Sequence, residues 1–498
     1  MLLLGACFNP SGEDKGERPP VARSSLDQAQ REQAPDGGAA PTSAAAPNLE
    51  ASDHHYGIYL NGHKVGWMRS QTILGPGSHP TVELKTDLLA QVAGMGQVSE
   101  IKLQEYRTYH GTTGALESID FEQRAATGAV RVQGRRSPEG LLLTVEAGGK
   151  VTTQTISETD TLDDATSLMR LAAKRKVGAT ATSRRFDPSI LKSVTVTHRV
   201  EAIQPRVLGG VEVDTVEVSS DLAELGIRES AWVDAGGTIL ESKVGGFFVA
   251  RLEAPEVAKK LEYQQDLLIS AVVESPEIVA RSTTADAMTL VFEGFGANVP
   301  EVTHRQKVES ADNRVTLRLT RDPPPEVPFA LPSGGSVAAG PELESTPFIQ
   351  SDDPEIIAKA REVIGDAKDV FTATSRLVTF VFDHVRDEYV PAYSNALDAL
   401  RTRRGDCTEH AILFVALARA VGIPARVAVG IAYWPAGQGF GWHAWAQVRA
   451  GETWYSVDPT WNQFIADVTH IRLAGGGPAE QARIVMLLGK LRIVDATL

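Results

Sequence analysis

The feature that most constrains this chain is a change of hydrophobic period partway along it. From His54 to about Lys243, apolar and polar residues alternate in short runs, the period of half-buried strands. Beyond Asp352 the apolar spacing becomes that of helices. The first run is the clearest. Tyr56-Gly57-Ile58-Tyr59-Leu60-Asn61-Gly62-His63-Lys64-Val65-Gly66-Trp67 alternates around an Asn-Gly pair, and Asn-Gly supplies the positive φ angles a tight hairpin needs. Similar runs follow at 81–86, 98–109, 129–133, 141–145 and 151–156, then at 194–203, 207–218, 229–233 and 238–243. Gly-containing turns separate many of them, which predicts a long antiparallel sheet. One helix is expected at 161–176, with Asp163 and Asp164 near its start and Lys174, Arg175 and Lys176 near its end, as the helix dipole favours.

Composition sorts the rest of the chain into parts. At 498 residues, about three domains are expected. Residues 1–50 are rich in Pro, Gly, Ala, Ser and Gln and poor in large apolar residues, so they read as a disordered tether. Residues 51–260 form the β-rich domain. Residues 261–345 give a small β region with strands at 287–293 and 314–319. They end in a Pro/Gly linker that opens Asp322-Pro323-Pro324-Pro325. Residues 350–498 form the last domain. Asp353-Pro354-Glu355 starts its first helix with Pro at the first helical position. A second helix runs through Phe371 to Val385, a third covers 395–404, and a final one is expected at 480–488. The fold class is therefore multidomain: a mostly β antiparallel region followed by an α+β domain. The formal charge of −14 argues against nucleic acid as a partner, because phosphate binding needs clustered positive charge. No run of about 18 apolar residues offers a transmembrane helix.

The chain has two cysteines, Cys7 and Cys407, and they are expected to remain unpaired. Leu4-Gly5-Ala6-Cys7 resembles a bacterial lipobox. With the tether behind it, Cys7 reads as a lipid attachment site of a cell-envelope, membrane-anchored protein. The residues before Cys7 include no Lys or Arg, unlike the basic region of a secretory signal. The alternative is a cytoplasmic protein with a plain disordered tail.

The chemistry concentrates around Arg403-Arg404-Gly405-Asp406-Cys407-Thr408-Glu409-His410, followed by an apolar helical run closed by Gly422 and Pro424. Asp406 fits the N-cap, and Glu409 three residues later completes a capping-box pattern. Cys407 then takes the first helical position, where unpaired N–H groups and the helix dipole favour an anion. A thiol held there has a lowered pKa, and the thiolate is the nucleophile. Downstream, 425–433, Gly441-Trp442-His443-Ala444-Trp445-Ala446-Gln447-Val448 and Trp454-Tyr455-Ser456-Val457-Asp458 read as successive strands. That hairpin sets His443 against Asp458. The inferred trio is Cys407 as nucleophile, His443 as base and Asp458 as its orienter. Arg401, Arg403 and Arg404 form a basic cluster that either is solvated or helps depress the Cys407 pKa. His410, His443 and His470 have no zinc-ligand spacing, so no metal and no cofactor are assigned. Asp467 and His470 read as a structural polar pair.

Gly-Asp-Cys on a helix, then His-Ala-Trp, then Trp-Tyr-Ser-Val-Asp-Pro-Thr resembles the transglutaminase-like superfamily, a papain-related cysteine fold. The resemblance runs from about Asp352 to Leu473. It implies that Cys407, His443 and Asp458 are a catalytic triad and that the reaction is acyl transfer from an amide through a thioester, ending on water or on an amine. It implies an oxyanion hole using the Cys407 N–H and a second donor, for which Tyr389 and Tyr393 are candidates, with Trp442 at the cleft. Gln447 stands where many members carry an acidic residue. The expected partner is a protein or peptide substrate. The alternative function is a non-catalytic scaffold that uses a papain-like fold and a partner- or lipid-binding β domain. Nothing in the sequence states the oligomeric state.

Overall fold

The computed structural model describes residues 49–498 except 78–79, 95–96, 127, 158, 209, 246–247, 262–271, 297, 324–328, 332–339, 389–393, 476–486 and 488. Three regions follow one another, and β structure dominates.

The first is a sheet of fourteen antiparallel strands running from Ser52–Leu60 to Phe248–Glu253. The chain zigzags from the first strand out to Lys150–Ile156, then resumes at the far edge with Thr180–Asp187 and zigzags back to the first strand. Asn61 and Gly62 both take positive φ, 49° and 82°, at the first hairpin. The sheet curls on itself. Phe186, on the edge strand Thr180–Asp187, shares one apolar cluster with Tyr109, Ile119, Phe121, Val132 and Leu143 from the other half. A buried ion pair stitches the two halves. Arg107 donates to Asp160 at 2.7 Å, to Glu105 at 2.6 Å and to the Phe186 carbonyl at 2.6 Å.

The expected helix at 161–176 is two short ones, Leu162–Ala165 and Ser167–Ala173. Thr161 and Asp164 cap the first reciprocally. The break falls at Thr166, whose hydroxyl bonds back to the Leu162 carbonyl at 2.8 Å, a local bond that competes with helix propagation.

The second region is a four-stranded antiparallel sheet. Three strands, Ala287–Glu293, Gln306–Ala311 and Arg314–Thr320, come from the expected small β region. The fourth is Arg492–Thr497, which pairs with Ala287–Glu293. The C-terminus thus leaves the 350–498 segment to complete this sheet. The expected helix at 480–488 lies almost wholly outside the described residues.

The third region holds the helices. Pro354–Ile364 starts as expected, with Asp353 as N-cap and Pro at the first turn. Val370–His384 and Ala396–Thr402 follow. Cys407–Ala420 is buried from Cys407 through Arg419, and its run Ala411–Ala418 is apolar on every side, as a helix enclosed by other elements requires. It packs against the other three helices and against the strand Gly439–Ala450. That strand lies between Ala425–Trp434 on one side and Thr453–Val457 and Val273–Glu274 on the other, and Ile471–Gly475 flanks Ala425–Trp434. Among the described residues no helix is long and apolar enough to cross a membrane.

Candidate active site

Asp406 caps the cysteine helix. Its carboxylate accepts the Thr408 N–H at 2.9 Å, and Glu409 accepts the Asp406 N–H at 2.8 Å. Cys407 is the first helical residue. Glu409 is fully buried, and desolvation, with Asp406 beside it, pushes its carboxyl well above the usual range. Gly405 is required by that packing, because a Cβ there would lie 2.2 Å from Glu409 Cβ.

The hairpin brings the other two residues to this helix end. His443 lies mid-strand and Asp458 immediately follows Thr453–Val457. His443 Nε2 and Asp458 Oδ2 are 2.8 Å apart. The Ala444 N–H donates to Cys407 Sγ at 3.0 Å, so the sulfur sits beside the residue after His443. The structure therefore brings Cys407, His443 and Asp458 together. All three are buried: Cys407 is 1%, His443 4% and Asp458 0% exposed. Cys407 is disulfide-bonded here, contrary to the expectation of unpaired cysteines. Distance along the chain is a weak guide, since the entropy of closing a loop grows only with the logarithm of its length.

Burial opposes ionisation of Asp458, but the His443 and His470 rings outweigh it and hold its carboxyl far below the usual range. Its Oδ1 accepts the Thr460 N–H at 2.8 Å. An ionised Asp458 can only accept, so His443 Nε2 carries the proton. His443 Nδ1 has no hydrogen-bond partner and is the nitrogen left for a thiol proton. Trp461 stacks on the His443 ring at 4.2 Å and 10°.

His470 was read only as half of a structural pair with Asp467. It is bonded to Asp467, at 3.2 Å, and also to Asp458 Oδ2, at 3.1 Å. The sequence signal for it is its place in the segment Ala466-Asp467-Val468-Thr469-His470-Ile471, three residues after Asp467. Close approach of its strand depends on Gly430, the cross-strand partner of His443, where a Cβ would meet the Ile471 carbonyl at 1.9 Å. Among the described residues His443, Asp458 and His470 form the one group close enough to hold a metal ion, with ligand atoms within 4.8 Å. Their bonding does not fit one. Both Nε2 atoms face Asp458 Oδ2 as donors and have no lone pair to offer there.

The other expected residues fall elsewhere. Tyr389, Tyr393 and Cys7 lie outside the described residues. Trp442 precedes His443, so the strand pleat turns it to the other face, where it packs with Ile431, Tyr433 and Phe440. It is not part of the triad cluster. Gln447 accepts from Arg426 at 2.9 Å and donates to Ser456 at 3.2 Å, a bracing role between strands. Arg401 bonds Glu355 and the Gly148 carbonyl, and Arg404 pairs with Glu388. Arg401 thus fastens the last domain to the large sheet.

A cysteine at a capped helix start thus lies against a hairpin that carries a bonded histidine–aspartate pair. Residues 357–459 match the family model of the transglutaminase-like superfamily, and the chain carries a transglutaminase-like domain there. A comparison with curated proteins found no match. Three solved structures are similar in part. A "putative cysteine protease" from Cytophaga hutchinsonii is 17% identical, with TM-score 0.27, covering 42% of this chain and 85% of that one. A beta-barrel-like protein of a domain of unknown function from Brucella abortus is 15% identical, with TM-score 0.33, covering 42% and 98%. A "putative protease" from Parabacteroides distasonis is 13% identical, with TM-score 0.17, covering 69% and 68%.

Proposed function

We propose that the protein is a cysteine-dependent enzyme that cleaves or transfers amide acyl groups through a thioester on reduced Cys407. One observation carries this reading: His443 offers an unpartnered Nδ1 while Asp458 holds its Nε2, and Cys407 Sγ lies at the neighbouring Ala444 N–H. The Cys407 thiol gives its proton to His443 Nδ1, and the thiolate attacks the amide carbonyl carbon. The helix N-terminus favours the oxyanion that forms. The C–N bond breaks as His443 returns the proton to the departing amine, leaving the thioester. His443 then takes a proton from water or an amine, which attacks the thioester carbonyl and releases the thiolate. Hydrolysis is the favoured outcome, with peptides or proteins as substrates.

The reaction requires reduced Cys407, so activity depends on a thiol reductant. In the cell-envelope reading, a lipid on the Cys7 sulfur would exclude a bond from that sulfur to Cys407, since the chain has no third cysteine. The test uses reduced protein with casein and a dansyl-labelled primary amine. Casein cleavage that disappears in Cys407→Ala supports hydrolysis, and dansyl incorporation that disappears supports transfer. Neither product, with Cys407 titrating as an ordinary thiol near 8.5, overturns the proposal and leaves a scaffold.

A further inference from the structure

We infer that His470 is a second histidine of the active centre: a positioning residue that holds Asp458 and places a positive charge beside His443, setting the pH range in which Cys407 is a thiolate. This rests on the reading of Cys407 and His443 as the reacting pair.

The hydrogen-bond pattern carries the argument. His470 Nε2 faces Asp458 Oδ2 at 3.1 Å. Its Nδ1 faces Asp467 Oδ1 at 3.2 Å and the Asp467 carbonyl at 3.3 Å. Carboxylate and carbonyl oxygens only accept. Both ring nitrogens therefore carry protons, and the ring is an imidazolium with no exposed side-chain surface. Burial opposes that charge, but Asp467 and Asp458 push the group up to about 9.

The surroundings hold the ring in place. Asp467 accepts from Gln463 at 2.9 Å and from the Thr469 hydroxyl at 2.6 Å. From the small sheet, Arg305 donates to the carbonyls of Ala466 and Asp467 at 3.0 and 2.7 Å. The His470 and His443 rings are 5.6 Å apart, and the edges of Trp445 and Trp461 close on His470 at 5.2 and 5.4 Å. Charges meet here with little water between them, so each is strongly felt. The charged groups beside His443 are the Asp458 carboxylate, the His470 imidazolium and, when ionised, Cys407; Asp467 lies on the far side of His470 with Arg305 donating to its carbonyl, and Asp406 and Glu409 lie at the start of the Cys407 helix. Without the His470 charge, the Asp458 and Asp467 carboxylates lose the cation that bridges them, and the negative charge beside the reacting pair is uncompensated. His443 would then hold its proton to higher pH, and Cys407 would lose its proton less readily.

The experiment is the pH profile of iodoacetamide alkylation at Cys407 in the reduced full chain, read on the Cys407 peptide by mass spectrometry. His470→Gln keeps a donor toward Asp458 but removes the charge. Both limbs of the profile should move up by about one pH unit, an approximately tenfold loss of labelling on the acid limb. Limbs that stay in place while only the rate or the melting temperature falls would show a merely structural role and overturn the inference. His443→Ala tests the underlying reading separately. If wild-type Cys407 already titrates like the His443→Ala protein, the reacting pair itself is wrong, whatever His470 does. If His470→Gln does not fold, nitrogen NMR of histidine-labelled wild type decides: a buried ring protonated on both nitrogens at pH 7 supports the inference, and one with a bare nitrogen overturns it.

Discussion

The molecule contains two buried charge networks, and they are built to different ends. In the curled sheet, Arg107 spends its guanidinium on Asp160, Glu105 and the Phe186 carbonyl, and Tyr109 adds a second donor to Asp160 at 2.6 Å. No side-chain polar atom of Arg107, Tyr109 or Asp160 is left without a partner. In the site, Asp458, His470 and Asp467 are as tightly bonded, yet His443 Nδ1 is left over. A fully paired network fixes structure, because every buried group has traded water for a partner. The site leaves several buried atoms unspent, Trp445 Nε1, Thr460 Oγ1 and Arg305 Nη1 among them, and His443 Nδ1 is the one among them that can accept a proton at neutral pH. The comparison also separates what each network closes: one joins the two halves of a curled sheet, the other poises a proton acceptor beside a sulfur.

The largest effect expected outside the site tests the first half of that contrast. Arg107→Met leaves the Asp160 and Glu105 carboxylates facing each other without their cation. It should cost about 3–5 kcal/mol of stability, read by urea denaturation. Alkylation of Cys407 in the protein that remains folded should be unchanged. Altered alkylation would mean that the two networks are coupled and the contrast is false.

A smaller effect separates them by pH. The folded His470 sits at about 9 against an ordinary 6.5. Its contribution is fully present below about 6.5 and is lost as pH rises through 9, at about 1.4 kcal/mol per pH unit. Asp458 and Asp467 are held low instead, burial being outweighed by the neighbouring histidines, so their contribution is lost only as pH falls below the ordinary carboxylate range. Melting temperature should therefore fall between pH 7 and 9. Arg107 keeps its charge across that window, so His470→Gln should flatten the fall while Arg107→Met leaves its slope intact. A fall of equal slope in both variants would place its origin elsewhere.

The smallest effect concerns Gln447. Gln447→Glu keeps the acceptor for Arg426 and loses only the donor to Ser456, whose hydroxyl can turn to donate instead. The stability change should stay under about 1 kcal/mol, with the Cys407 pH profile unmoved. A profile shift would show that this position acts on the triad and does more than brace two strands.

Much of the site is legible in the sequence. The Asp406–Glu409 box, Pro354 at a helix start and the Asn61-Gly62 turn are bonds between near neighbours, and near neighbours meet whatever the rest of the chain does. His443 and Asp458 could be paired because the hairpin register carries Asp458, one residue past the Ala446–Val457 pair, to within two residues of the level of His443. The break at Thr166 was missed because a hydroxyl bonding back to Leu162 competes with a helix the charge pattern otherwise favoured. Trp442 was misplaced by one step of the pleat, which is enough to change faces.

By itself, then, the sequence determined the elements and the capped cysteine helix, because period and capping act over a few residues. Only the tertiary structure decided that His470 shares the Asp458 oxygen, that Arg305 braces its turn from the small sheet, and that Arg492–Thr497 completes that sheet. Contacts of that range depend on how the layers stack, and no local pattern of residues records it.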